Sequence, residues 1–300
     1  MFLKSHILKF FDQCYRLEGK ILNKVNPPII VLMYHRVLTD NYSNQPYTVT
    51  TKNFKDQINY LTQNYDIRRF EDSWKNTKRP SFVITFDDGY YDNYLVAKEF
   101  LVKNNIPSTF FISTKNIGRE SLFWWDEIRL HWDTYKRSGA YSIGDLDRKL
   151  INSNLNQQKT ILEKHRKYYK SCHEEHSYYR SMTEEELKSL ADEEAITIGS
   201  HTVNHLKLSI LSKKQKSYEL ESSKRFLEDL IGKKIECISY PYGYYDGDTI
   251  SICKRLGYRK GATTVEKNCY EWTNQFKIPR FQVDDTCLET FKNSISRLVD

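Results

Sequence analysis

The sequence predicts an α/β fold with a parallel sheet of about seven strands, closed as a barrel or left open. Two observations carry this. Short apolar runs alternate along the chain with longer segments of helical spacing. The residues capable of chemistry then fall at the C-terminal ends of those runs, where parallel barrels gather their sites.

Taken in order, residues 1–26 read as an amphipathic helix. Leu3, Ile7, Phe10, Phe11, Cys14, Leu17, Ile21 and Val25 recur at helical spacing, with Lys4, Lys9, Arg16, Lys20 and Lys24 among the rest. Such a helix either packs on the domain or lies on a membrane surface. Lys4, Lys9, Asp12 and Arg16 interrupt any apolar core of a signal peptide. No run reaches the ~18 apolar residues of a membrane span. The expectation is a cytoplasmic protein, with peripheral contact at the inner membrane face through residues 1–25. Asn26-Pro27-Pro28 ends the helix, and a single domain is expected over 27–300.

Within it, 29–35, 82–86, 108–113, 196–200, 235–243, 260–264 and 277–283 read as strands. Residues 50–65, 93–105, 212–232, 248–258 and about 287–298 read as helices. A polar insertion at about 119–182 opens on Phe123-Trp124-Trp125-Asp126 and carries helical patterns at 125–136 and 155–169. After it, Thr183 followed by Glu186 marks a helix start.

Composition narrows the function. Apolar residues make up 39% and charged residues 28%, which suits a folded domain. The 46 basic and 39 acidic residues leave a net charge of +7, spread along the chain. No basic-aromatic motif accompanies it, so nucleic acid is not an expected partner. The 22 tyrosines suit a sugar-binding groove as well as an ordinary core. Six cysteines, at 14, 172, 237, 253, 269 and 287, form no C-x-x-C pair and read as reduced thiols.

The chemistry centres on two stretches. In TFDDG (85–89), Asp87 and Asp88 follow a buried strand at once, and like charges so close raise one pKa. A fold accepts that most readily where a metal or a reaction needs both carboxylates. In HTVNH (201–205), His201 and His205 stand at i, i+4, which one helical turn would place on the same side. Two imidazoles and one carboxylate with open positions make a catalytic metal site. Asp88 is the natural third ligand, which leaves Asp87 beside the metal as a base. The cation's charge offsets the repulsion between the two carboxylates.

TFDDG, HTVNH and SYPYG (239–243), in this order and context, resemble the polysaccharide deacetylases, the NodB-homology domain of carbohydrate esterase family four. The resemblance covers about residues 29–285. It implies a distorted (β/α) barrel of about seven strands that removes N- or O-acetyl groups from sugars with a divalent metal. Zinc comes first, and cobalt, nickel and iron fit the same ligands. Carried onto this chain, Asp87 is the general base, and Asp88, His201 and His205 are the metal ligands. The backbone after Pro241, particularly the Tyr242 amide, helps hold the oxyanion, and Tyr240 stands in the same stretch.

The chain departs from the family pattern twice. The Arg that steadies the base in many members is absent at Ser239-Tyr240, and Arg280 is the candidate substitute, with Arg36 behind it. The late Leu-x-His that supplies the acid is also absent. His35 in LMYHRV is the candidate for that role, as in the surface-polysaccharide branch with its early MYH. Trp124 and Trp125 either stack on a sugar or anchor the insertion. CHEEH (172–176) reads as a solvated face.

The substrate implied is an N-acetylated glycan or its lipid-linked precursor. Two other readings remain: a glycan-binding protein that keeps the metal without turnover, and a non-haem iron oxygenase.

Overall fold

The computed structural model describes residues 22–23, 25–39, 46–119, 121–137, 139, 142–166 and 179–300. The helix expected over 1–26 and the CHEEH stretch therefore fall almost wholly outside the described residues, as do Cys14 and Cys172.

Seven parallel strands form a curled sheet in the order β10-β1-β5-β6-β7-β8-β9. They are β1 (Ile29–Tyr34), β5 (Ser81–Phe86), β6 (Ser108–Ile112), β7 (Ile196–Ser200), β8 (Cys237–Ser239), β9 (Lys260–Ala262) and β10 (Phe281–Gln282). The two-residue β4 (Asp66–Ile67) also pairs with β5. Every residue of β1 and β5 is buried, as expected of parallel strands covered on both faces. Their side chains alternate between two apolar layers. Ile30, Leu32, Tyr34, Phe82, Ile84 and Phe86 pack outward in the larger cluster. Ile29, Val31, Val83, Phe111, Cys237 and Ile278 fill the smaller, inner one. This two-residue period decides the site. Continued toward the C-terminal ends, the inner parity brings His35, Thr85, Asp87, His201, Ser239 and Arg280 to the barrel mouth. Gly199 leaves the inner space that Phe111 fills; a Cβ there would sit 2.5 Å from the Phe111 ring.

The expected strand over 277–283 is split, with a physical reason. Ile278 pairs with β9, donating to the Gly261 carbonyl at 2.9 Å and accepting from Thr263 N at 2.8 Å. The chain then passes Pro279 and joins β1, where Phe281 pairs with Leu32 and Val283 N donates to Met33 O at 3.1 Å. This segment links the two edges of the sheet, and Arg280 sits at the crossing.

The helices are α1 (Thr51–Asn64), α2 (Tyr91–Val96), α7 (Glu184–Ala191), α8 (Lys213–Ile231), α9 (Gly247–Arg255) and α10 (Leu288–Val299), with α3 to α6 in the insertion. α2 passes into a π-helical turn over Ala97–Leu101. α7 carries the expected capping box, with Glu186 N donating to Thr183 Oγ1 and Thr183 N to Glu186 Oε2.

In the insertion, α3 (Trp124–Leu130), α4 (Trp132–Arg137), α5 (Ile143–Ile151) and α6 (Leu155–Arg166) enclose a small core of Trp124, Ile128, Tyr135, Leu146, Leu150 and Leu162. The sequence reading missed α5. It also missed the three-residue strands β2 (Arg36–Leu38) and β3 (Thr48–Thr50), which pair with each other and are too short to show a period. Cys237, Cys253, Cys269 and Cys287 are free thiols. No described helix is long and apolar enough to cross a membrane.

Candidate active site

Strand alternation alone would send Asp88 to the face opposite Asp87, but the backbone turns sharply and both carboxylates approach His201 Nε2, at 3.8 Å from Asp87 and 3.6 Å from Asp88. Asp88 (φ 78°) and Gly89 (φ 87°) are both left-handed. Asp tolerates that region better than most side chains, and glycine enters it freely. Asp87 keeps the inward parity of its strand, and Asp88 swings toward the histidines.

His201 and His205 do reach the same point, but not through a helical turn. Residues 201–207 form an irregular loop, with Thr202 at φ 66° and His205 at φ 52°. A β-branched residue in that region is strained, so the loop needs outside support. Thr114 N and Lys115 N donate to the Thr202 and Val203 carbonyls at 3.1 and 3.0 Å. On the other side, the buried Glu219 of α8 accepts from Val203 N (3.0 Å), Asn204 N (2.8 Å) and Asn204 Nδ2 (2.6 Å). Sequence reading missed Glu219, whose only signal was its place on the helix after the motif.

The Nε2 atoms of His201 and His205 lie 3.6 and 3.4 Å from Asp88 Oδ1. One ligand atom from each of the three residues falls within 4.8 Å of the others. Asp88 Oδ1 is buried and has no hydrogen-bond partner among the described residues. Burial, then Asp87 and Asp126, push the Asp88 carboxyl well above its usual range. Burial lowers both histidines, and His201 adds to the effect on His205. Neutral imidazoles are the form that binds metal. The His201 Nδ1 is 2.8 Å from the Ser239 carbonyl, so Nδ1–H donates there and Nε2 keeps its lone pair for the cluster. An orphaned buried carboxylate oxygen facing two neutral imidazoles fits a divalent cation.

Asp87 lies beside this cluster, 3.8 Å from His201 Nε2. Arg280 grips it with two parallel bonds, Nη1 to Oδ1 at 2.7 Å and Nη2 to Oδ2 at 2.6 Å. The same guanidinium donates to Thr85 Oγ1, Ser239 Oγ and the Thr263 carbonyl. Ser239 Oγ also donates to Asp87 Oδ2 at 3.1 Å. Burial alone would raise the Asp87 carboxyl, but the charge and hydrogen bonds of Arg280 outweigh it and hold the group well below the usual carboxylate range. Arg36 is engaged elsewhere, with Asp92 at 3.1 Å. Ser239, where the missing Arg drew attention, is itself part of the clamp.

His35 lines the same cleft, and its buried Nδ1 has no hydrogen-bond partner among the described residues. Burial pulls its pKa down to about 4, against the pull of Asp87. The cleft holds about 400 Å³, in the range of small-molecule sites.

The aromatic candidates divide. Trp125 and Tyr242 set their rings edge-to-face on His205 at 4.8 and 4.6 Å, and both line the cleft. Trp124 does both things considered for it, lining the cleft and anchoring the insertion core. Tyr240 and Pro241 are corrections. Ser239 points inward, so strand alternation sends Tyr240 out of the mouth. Its ring is wholly buried, and its hydroxyl donates to the Phe276 carbonyl at 3.2 Å. Pro241 is buried as well and does not line the cleft.

Comparison with known proteins identifies the family. Residues 74–261, more than half of the chain, match the sequence model of the polysaccharide deacetylases. The putative polysaccharide deacetylase YxkH of Bacillus subtilis is 27% identical over 241 residues, covering 78% of this chain but only 63% of that protein. The poly-β-1,6-N-acetyl-D-glucosamine N-deacetylase of Staphylococcus epidermidis is 24% identical over 295 residues, covering 91% of this chain and 85% of that one. Among solved structures, the Streptococcus pyogenes deacetylase PplD in complex with acetate superposes with a TM-score of 0.63 at 19% identity, covering 91% of this chain and 99% of that one. IcaB from Ammonifex degensii also gives 0.63, at 17% identity, with 91% and 97% covered. The structural likenesses speak for the distorted barrel, and the sequence match, lying across both aspartates and both histidines, says more: the chain belongs to the polysaccharide deacetylase family.

Proposed function

We propose that the protein is a metal-dependent hydrolase that removes the acetyl group from an N-acetylated sugar of a surface glycan or its lipid-linked precursor. One observation carries the reading: a buried Asp-His-His cluster with an orphaned carboxylate oxygen stands against a second carboxylate held by a buried arginine. Asp88, His201 and His205 would hold the cation, and their nitrogen and oxygen donors suit zinc, with cobalt, nickel and iron(II) accepted by the same set. A divalent cation held there supplies Lewis acidity and lowers the pKa of bound water to ~7.

The chain's own groups do the rest. Asp87 accepts a proton as water adds to the acetyl carbon, and Arg280 fixes its two oxygens for that transfer. His35, neutral before substrate arrives, takes up the proton that Asp87 accepted and gives it to the sugar nitrogen as the C–N bond breaks. The Tyr242 amide, at a left-handed turn (φ 57°), is assigned to the developing oxyanion. Acetate and the free amino sugar leave as products.

A protein that only bound glycan would have no use for a base clamped by a buried guanidinium. The name of the Staphylococcus epidermidis relative, a poly-β-1,6-N-acetyl-D-glucosamine N-deacetylase, supports an N-acetylglucosamine polymer as the substrate class. His201→Ala tests the metal assignment. The variant is expected to bind far less than one zinc per chain and to lose acetate release; full zinc occupancy would contradict the ligand set. The basic amphipathic pattern of residues 1–25 supports a peripheral contact at the cytoplasmic membrane face. Deleting those residues is expected to move the protein from the membrane to the soluble fraction, and an unchanged distribution would remove that support.

A further inference from the structure

The two histidines of the cluster are held in different ways. His201 donates its Nδ1–H to the Ser239 carbonyl at 2.8 Å. His205 Nδ1 is buried and has no hydrogen-bond partner among the described residues. A metal-ligating imidazole almost always fixes its ring through its second nitrogen, and that bond sets its orientation. What surrounds His205 instead is aromatic. Tyr242 stands on it at 4.6 Å and 81°, and Trp125 at 4.8 Å and 62°. Phe123 stacks on the Trp125 ring at 4.5 Å. Edge-to-face packing is directional but weak, so rings that orient a ligand need to be held themselves.

Tyr242 leaves the barrel after β8 and packs on the insertion core. Trp125 belongs to α3 of the insertion and is tied to the barrel through its indole. Nε1 donates to the Tyr90 hydroxyl at 2.7 Å, and that hydroxyl donates to Asp126 Oδ2 at 2.5 Å. The phenol oxygen therefore both accepts and donates. Tyr90 is the first residue after TFDDG and the N-cap of α2. It is 1% exposed, and the Arg36 guanidinium lies 4.4 Å from its ring centre. Its hydroxyl thus joins two neighbouring residues of the insertion to the turn that carries Asp88. A bond that only anchored the insertion could sit anywhere along it. This one falls on the tryptophan that packs against a ligand.

We propose that Tyr90 is a positioning residue for the metal site: its hydroxyl holds the Trp125 ring against His205, in place of the hydrogen bond that His205 Nδ1 does not make. This rests on the reading of Asp88, His201 and His205 as metal ligands. It adds that the insertion, through Trp125, completes the site that the barrel begins.

The test is the zinc affinity of the full chain, measured without substrate by competition with a chromophoric chelator. Tyr90→Phe keeps the ring and removes the oxygen. It is expected to lower zinc affinity by about ten-fold, the scale on which an outer partner of a metal ligand acts. The visible spectrum of the cobalt-loaded protein, which reports ligand geometry, is expected to change with it. Trp125→Phe loses the N–H and is expected to cost about as much. Because both act through one bond, the double variant is expected to lose about ten-fold as well, where independent sites would lose about a hundred-fold. A hundred-fold loss overturns the proposal, since Tyr90 then acts apart from Trp125. Unchanged zinc affinity in Tyr90→Phe overturns it too. Tyr135→Phe controls for plain loosening of the insertion, because it removes a buried hydroxyl that donates to Glu127 Oε1 at 2.8 Å within the same insertion. It is expected to lower Tm and to keep zinc affinity within about two-fold; a loss equal to that of Tyr90→Phe overturns the proposal. Should Tyr90→Phe lose its fold, Trp125→Phe against Tyr135→Phe is read the same way. A wild-type chain that binds no zinc overturns the metal reading, and this inference falls with it. One zinc bound per wild-type chain, with the variants unmoved, overturns only the role of Tyr90.

Discussion

Asp87→Asn is expected to lower kcat by about 10²–10⁴-fold while the protein keeps its metal, because general-base catalysis is lost and the three ligands are not touched. Zinc stoichiometry and steady-state acetate release on the same preparation check both halves. The substitution has a second consequence. One Asp87 oxygen becomes an NH2 group facing the N–H groups of Arg280, in a pocket that is 2% exposed at Asp87 and 0% at Arg280. A buried guanidinium then lacks its counter-charge, so the variant is also expected to melt lower. Combining it with Arg280→Met is expected to recover part of that stability and none of the rate. An Asp87→Asn protein with wild-type turnover would mean that the proton goes elsewhere.

Arg280→Met alone is expected to destabilise the fold by about 3–5 kcal/mol, the usual cost of leaving one member of a buried ion pair unpaired. Arg280→Lys is not a conservative repair. One ammonium cannot meet both Asp87 oxygens, Thr85, Ser239 and the Thr263 carbonyl at once. Denaturant midpoints for wild type and variant check the magnitude, and their pH dependence checks the cause. In the wild type the folded Asp87 carboxyl is held below its unfolded value. Its contribution is therefore full above the ordinary Asp pKa of about 4 and is lost as the pH falls below that toward the folded value. The gap between wild type and Arg280→Met should narrow on acidification in that range. A constant gap down to low pH would mean that Arg280 acts by packing rather than by charge.

The parts of the site legible in the sequence are those whose chemistry is local. Asp87 with Asp88, and His201 with His205, each sit within five residues at a strand end, so both the candidate ligand cluster and the carboxylate beside it can be named from the sequence alone. Arg280 could be proposed only as a substitute, because its partners lie 193 and 41 residues away, at Asp87 and Ser239. What joins them is the crossing from β9 to β1, which no local pattern encodes. Tyr240 was misjudged for want of strand parity: with Ser239 inward, its neighbour must face out. The HTVNH loop shows a different limit. Spacing of i, i+4 suggested a helical turn, but left-handed residues held by Glu219 and by the backbone after β6 bring the imidazoles together instead.

The proposed reaction is a metal-dependent attack on an N-acetyl sugar. The most direct measurement is acetate release from chito-oligosaccharides, poly-N-acetylglucosamine, and nucleotide- and lipid-linked acetamido sugars, each with chelator and then with zinc restored. The expected result is acetate from at least one of these, abolished by chelator and recovered with zinc. Acetate release that ignores the chelator, or no acetate from any substrate with one zinc bound per chain, would contradict it.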